Sequence, residues 1–245
     1  MSTAKTLEYL DSDGATMEGV LHTPRNMAAG DKKPGVLVLH TFAGCGDYEN
    51  SRAASLSKLG FIVLAADLYG KGNRGSTRQE CAAFMRPLMA DRVVLLKKRL
   101  DAAVEALRAV PEVDTERLGA IGYCFGGLCA LDLARRNTDG LLAAVSFHGT
   151  LTPLPDDEPR KITASVQVHH GDADPHIPAT QVADFMEEMR ARNADWSFTS
   201  HGNAVHGFTQ PHADSLGVPG VAYNREADVR SWAATTAFLS ERLFV

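Results

Sequence analysis

The chain has no apolar run near the roughly 20 residues that cross a bilayer, so no membrane partner is expected. It has little cysteine: 4 in 245 residues, at positions 45, 81, 124 and 129, with no CxxC pair and no metal-ligand spacing. That excludes a disulfide scaffold and a zinc site, and four free thiols suit a reducing cytoplasm. Basic charge is not in excess, since 25 Lys and Arg face 30 Asp and Glu for a net charge of −5, which argues against nucleic acid as a partner. Met1–Asp13 contains one Lys and no apolar h-region, so no secretion signal is expected. There is no internal repeat and no low-complexity linker. The reading is a single cytoplasmic domain over residues 1–245, monomeric or homodimeric, with 44% apolar residues to fill a core.

What is present alternates. Thr6–Leu10 and Thr16–Thr23 flank Asp11-Ser12-Asp13-Gly14, a hairpin signal. From Gly35 onward, apolar strands alternate with helical stretches. The strands are Gly35–His40, Phe61–Ala66, Leu118–Ile121, Leu141–Phe147, Ile162–His169 and Trp196–Ser200; the helices are Glu49–Leu59, Thr77–Met89, Asp91–Ala109, Gly127–Asn137, Ala179–Arg192 and Asn224–Leu243. In the helix 91–109 the apolar set is Val93, Val94, Leu96, Leu100, Val104 and Leu107. Continuous apolar strands are those covered on both faces. The pattern predicts an α/β fold: a doubly wound, mainly parallel sheet with an antiparallel N-terminal hairpin, helices on both faces and the ligand site at the carboxyl edge. The loop 26–33 is read as surface and 152–160 as a Pro/Asp-rich loop, and 70–78, 149–160 and 208–222 are candidate cap or pocket elements.

The chain centres on Leu118–Ala130, LGAIGYCFGGLCA. A strand, a tight turn and a helix follow one another, and glycine on both sides of Cys124 permits a sharp strand-to-helix turn. Such an elbow lifts its central side chain clear of the sheet, at a helix N-terminus. The helix dipole there favours a thiolate, the reactive form of cysteine, so Cys124 is the candidate nucleophile. A nucleophile needs a base, and the base an orienting acid. On such a scaffold the chain order is nucleophile, acid, base. Asp174, in Gly171-x-x-Asp174-x-x-Ile177-Pro178, is preferred as acid over Asp172, which is assigned a local turn bond. His206, after the last strand, is preferred as base over His201 and His212. The N–H groups of Phe125 and Phe42 are the expected oxyanion-hole donors.

These pieces resemble the dienelactone hydrolase family of the α/β-hydrolase superfamily. The matching stretches are Val36–Gly44, Ala66-Asp67-Leu68-Tyr69-Gly70, Gly122–Gly127, Gly171–Pro178 and His206-Gly207-Phe208. The resemblance implies a Cys–His–Asp triad of Cys124, His206 and Asp174 that cleaves a small ester or enol lactone without metal or organic cofactor. It also marks two departures. Family members active on dienelactone carry a Glu where this chain has Thr41 and an Arg where it has Gln210. Arg78 and Arg86 are candidates for the family's other arginine. Cys45 and Tyr69 are further pocket candidates, and His40 and His148, at strand ends, are weighed between site and packing. His169-His170 has no third ligand at sensible spacing, so no metal is expected. The expected activity is a carboxylic ester hydrolase acting on a small-molecule ester or lactone through an acyl-cysteine. The alternatives are a thioesterase or acyltransferase, or a non-catalytic ligand-binding or thiol-sensing protein on the same fold.

Overall fold

The structure, a computed structural model, describes residues 2–25, 27–155 and 160–244. Asn26, in the expected surface loop 26–33, and residues 156–159, in the Pro/Asp-rich loop 152–160, lie outside them. The chain divides into two compact units, Met1–Ala120 and Ile121–Val245.

In the first unit, β1 (Ser2–Leu10) and β2 (Thr16–Pro24) form the antiparallel hairpin. Its turn is made locally: Asp11 Oδ1 accepts the N–H groups of Asp13 and Ala15, each at 2.9 Å, and Gly14 takes a φ of +81°. β3 (Lys33–Leu39) runs parallel to β4 (Ile62–Ala66), and β2 pairs antiparallel with β4's other edge. The strand order is β1-β2-β4-β3. β4 is buried along its whole length, as its unbroken apolar sequence requires. The stretch Ala66–Gly70 is a structural hub: Asp67 accepts N–H groups from Glu18, Tyr69 and Gly70, and its carbonyl takes the Tyr9 hydroxyl.

Helices α1 (Asp47–Ser57) and α2 (Arg78–Ala90) sit where expected, α2 opened by a Thr77–Glu80 capping box. The expected single helix 91–109 does not form as such. A π-helical turn, Arg92–Leu96, precedes α3 (Lys97–Arg108). Asp91 causes it: its side chain caps the Val94 N–H at 3.0 Å, while its carbonyl takes the Leu96 N–H, five residues on, at 2.9 Å. The widened turn shifts the apolar register. Val93 and Val94 therefore face solvent, while Leu96, Leu100, Val104 and Leu107 stay buried.

β5 (Val113–Tyr123) runs across the division. In the second unit the strand order is β5-β6-β7-β8. β6 (Leu141–Phe147), β7 (Ser165–Gly171) and β8 (Trp196–His201) are mutually parallel, and α4 (Phe125–Arg135), α5 (Ala179–Ala191) and α6 (Arg225–Leu243) lie between and after them. β7 starts three residues later than its apolar run. Asn137 Oδ1 takes both the N–H and the hydroxyl of Thr163, and the Ile162 N–H goes to Arg192 O, so residues 162–164 are tied off the ladder. α4 is buried throughout and anchored by Arg135, whose guanidinium reaches Asp132, Glu188 and the Leu151 carbonyl. Such a fully enclosed, fully partnered arginine fixes geometry more than it adds stability.

Candidate active site

Cys124 alone separates β5 from α4, with φ 54° and ψ −113°. This left-handed backbone is costly for any residue with a Cβ and is held in place by its neighbours. Its N–H donates to Phe147 O at 3.0 Å, and its carbonyl accepts the N–H groups of Gly127 and Leu128. Glycine makes the turn possible. A Cβ on Gly122 would overlap the carbonyl of Gly126 and stand 2.7 Å from Gly127 N; one on Gly127 would stand 2.6 Å from Ser146 Oγ. The thiol is half-buried and sits at the N-terminus of an 11-residue helix, where the peptide dipoles stabilise negative charge.

The other two side chains come from the ends of β7 and β8. The turn after Gly171 is pinned to the segment after β8 by Asp172 N–H to His201 O (3.0 Å) and Ala173 N–H to Ala204 O (2.9 Å). Gly171 is required there, since a Cβ would stand 2.7 Å from Ala204 O. Asp174 is buried and uses both oxygens: Oδ1 accepts the His176 N–H at 2.8 Å, and Oδ2 accepts His206 Nδ1–H at 2.8 Å. The local turn bond expected of Asp172 is thus made by Asp174, while Asp172 accepts the Ser200 hydroxyl at 3.2 Å. His206 is clamped through its main chain, N–H to Gly220 O (3.0 Å) and O from Ala222 N–H (3.1 Å). Its Nε2 lies 3.1 Å from Cys124 Sγ. Cys124, His206 and Asp174 therefore form one continuous hydrogen-bonded line.

The electrostatics follow from the line. Burial alone pushes the His206 imidazolium toward losing its proton, but the Cys124 thiolate, the hydrogen bond to Asp174 and the hydrogen bond to Cys124 outweigh it, and the pKa is raised to about 10. The raised pKa favours a charged His206 ring paired with Cys124. Replacing Cys124 with Ala removes the strongest of the raising influences, so the His206 titration should move down from about 10. An NMR titration of the ring protons checks this, and an unmoved midpoint would refute the pairing.

The dienelactone hydrolase family profile matches residues 17–243. The chain belongs to the dienelactone hydrolase family. It is a carboxylic ester hydrolase on the α/β-hydrolase fold. Among solved structures it is similar to a dienelactone hydrolase-like promiscuous phosphotriesterase, P91, from metagenomic libraries: 37% identity, 98% of each chain covered, TM-score 0.92. A Bradyrhizobium protein named "Probable 2-oxo-3-(5-oxofuran-2-ylidene)propanoate lactonase" is 30% identical over 84% of this chain and 83% of its own. Carboxymethylenebutenolidase 1 of Cupriavidus pinatubonensis is 25% identical over 68% of this chain and 72% of its own.

Of the other candidate residues, Gln210 lies in the loop after His206, its N–H on Gly207 O at 2.9 Å. Phe125 opens α4. Thr41, Phe42, Cys45, Tyr69, Arg78 and Arg86 belong to the first unit. There Tyr69 is buried against His40, with its hydroxyl on Phe42 O at 3.1 Å. Cys45 is buried with its thiol toward Ala65 O, and desolvation pushes its pKa far up, which keeps it an unreactive thiol. Arg78 and Arg86 are exposed on α2. His40 packs within this unit: its Nε2 accepts the Leu68 N–H, so Nδ1–H donates to Thr41 O. Sequence reasoning missed Glu49, a buried carboxylate on α1 that accepts the N–H groups of Thr41 (3.1 Å) and Gly46 (2.9 Å). The cue was faint, a Glu at the N3 position of a helix. It also missed His176, exposed and edge-on to His206 at 5.3 Å between ring centroids. His169, His170 and His201 lie close together, but among the described residues no group of three or more His, Cys, Asp or Glu could hold a metal ion. No helix among those residues is long and apolar enough to cross a membrane.

Proposed function

We propose that this chain hydrolyses small esters or lactones through a Cys124 nucleophile and an acyl-cysteine intermediate. The observation that carries the reading is the His206 imidazole, 3.1 Å from the thiol and 2.8 Å from a buried carboxylate. Cys124 thiolate attacks the carbonyl carbon, and the oxyanion is held by the Phe125 N–H at the head of α4. Phe42 is the proposed second donor. As the tetrahedral intermediate collapses, the His206 imidazolium gives its proton to the departing alkoxide. The neutral ring then takes a proton from water, which attacks the thioester and restores Cys124. Asp174 keeps the His206 proton on Nδ1 and stabilises the ring when charged. Thiolates expel good leaving groups more readily than amines, so activated esters, enol lactones and thioesters are the substrates this site suits. A reducing, cytoplasmic setting keeps such a thiol free.

The lactonase and carboxymethylenebutenolidase names of the relatives favour a lactone as substrate. Thr41 and Gln210, which replace the Glu and Arg of dienelactone-active members, argue for a lactone other than dienelactone. The likeness to P91 adds one specific second reading, attack by the same thiolate at the phosphorus of an aryl phosphotriester. A panel of p-nitrophenyl acetate, an enol lactone, an acyl thioester and an aryl phosphotriester tests both. We expect turnover of the carboxylic substrates, with the lactone fastest and His206→Ala lowering all rates together. An adduct on Cys124 that forms and never hydrolyses would replace this reading with a thiol-sensing one.

A further inference from the structure

Five non-glycine residues among those described have positive φ, and three are Asn, the residue that tolerates it best. The fourth is Cys124, whose backbone the elbow explains. The fifth is His148, φ +40°, directly after β6. Backbone strain in a non-glycine residue persists where the surrounding structure enforces it, and it concentrates at functional sites.

The surroundings of His148 are specific. Its N–H donates to His169 O at 2.7 Å. The next residue, Gly149, lies under the elbow helix so closely that a Cβ would stand 2.9 Å from Gly127 Cα. The left-handed turn buries the imidazole, which is 1% exposed, with its ring edge-on to both His206 and Phe208 at 5.2 Å. Its Nε2 lies 2.9 Å from the hydroxyl of Thr209, itself fully buried. Thr209 follows His206 by three residues, across Gly207 with its φ of +71°. The loop bearing His206 is thus held through its main chain at Gly220 and Ala222 and through a side chain at Thr209.

We propose that His148 is a positioning residue for His206: its ring and its hydrogen bond to Thr209 keep the imidazole in line between Cys124 and Asp174. This rests on the triad reading above. Packing alone would be satisfied by a phenyl ring and a valine. The hydrogen bond between a strained histidine and a buried threonine distinguishes positioning from filling.

The test compares Thr209→Val, which keeps the volume and loses the hydroxyl, with Thr209→Ser, which keeps the hydroxyl. His148→Phe, which keeps a ring, is the third variant. Kinetics with p-nitrophenyl acetate and the ultraviolet thiolate absorbance against pH, with Cys124→Ala as baseline, are the readouts. In Thr209→Val and His148→Phe, kcat is expected to fall on the order of 10-fold with KM nearly unchanged, since small misplacements of a reacting group are costly. The thiolate signal at neutral pH should fall with it, and Thr209→Ser should restore both. If Cys124→Ala still turns over, the triad reading fails and this proposal with it. If Cys124→Ala is inactive while the Val and Phe variants keep wild-type kcat and thiolate titration, or if Val and Ser behave alike, only the proposal for His148 is overturned.

Discussion

Replacing Cys124 with Ala is expected to lower kcat for p-nitrophenyl acetate by ~10⁴-fold or more, the loss seen when the nucleophile of a cooperating triad is removed. Binding should change little, because Cys124 is half-buried and contributes the attacking atom rather than the pocket. The fold should survive. The Ala methyl keeps the Cβ that already tolerates φ 54°, and the hydrogen bonds that hold the elbow run through the Cys124 main chain. The variant should therefore unfold near the wild-type temperature while losing activity, a pairing that separates chemistry from stability. The other thiols offer no substitute: Cys45, Cys81 and Cys129 are buried, and desolvation raises the pKa of both Cys45 and Cys81.

Gly122→Ala should have the second largest effect, and on stability rather than on chemistry alone. The new methyl overlaps the carbonyl of Gly126 and lies 2.7 Å from Gly127 N. These are backbone atoms of the first turn of α4, a helix buried throughout, so no flexible side chain can yield. Overpacking of this kind costs on the order of 3 kcal/mol or more, which for a chain of this size lowers Tm by roughly 6–12 °C. Any surviving folded protein should have a displaced thiol and little activity. Gly14→Ala is the comparison: its φ is unfavourable at +81°, but nothing lies within 4 Å of the added methyl, so only a backbone cost of about 1–2 kcal/mol applies. Thermal unfolding of the two variants side by side checks the difference. Equal stability would mean that the elbow is not as tightly built as described.

Much of this was legible in the residues themselves. The alternation of apolar strands and helical stretches sets the element order, because buried parallel strands must be apolar on both faces. Gly122 signals the elbow because its effect is local: an added Cβ meets atoms only four or five residues away. Asp174 and Asp172 were harder to apportion. Which of them faces His206 depends on how β7 and the segment after β8 are registered, and that contact spans some 30 residues of sequence. Asp174 turned out to make both the turn bond and the imidazole bond. Glu49 and Thr209 carried almost no sequence signal, since their contacts exist only once distant segments pack, and His148 was marked only by its place at a strand end. The π-helical turn at Arg92–Leu96 was hidden because the apolar spacing of 91–109 is equally compatible with a continuous helix until Asp91 caps it.

The line from sulfur to imidazole to carboxylate is the claim on which the functional reading depends. Rapid acid quench of the enzyme mixed with p-nitrophenyl acetate, followed by mass spectrometry of its peptides, tests it most directly. The account predicts one acetyl group on the peptide bearing Cys124, appearing within the first turnover and decaying as product forms, and accumulating in His206→Ala where water is no longer activated. An acetyl group on any other residue, or steady turnover with Cys124 never modified, would contradict it.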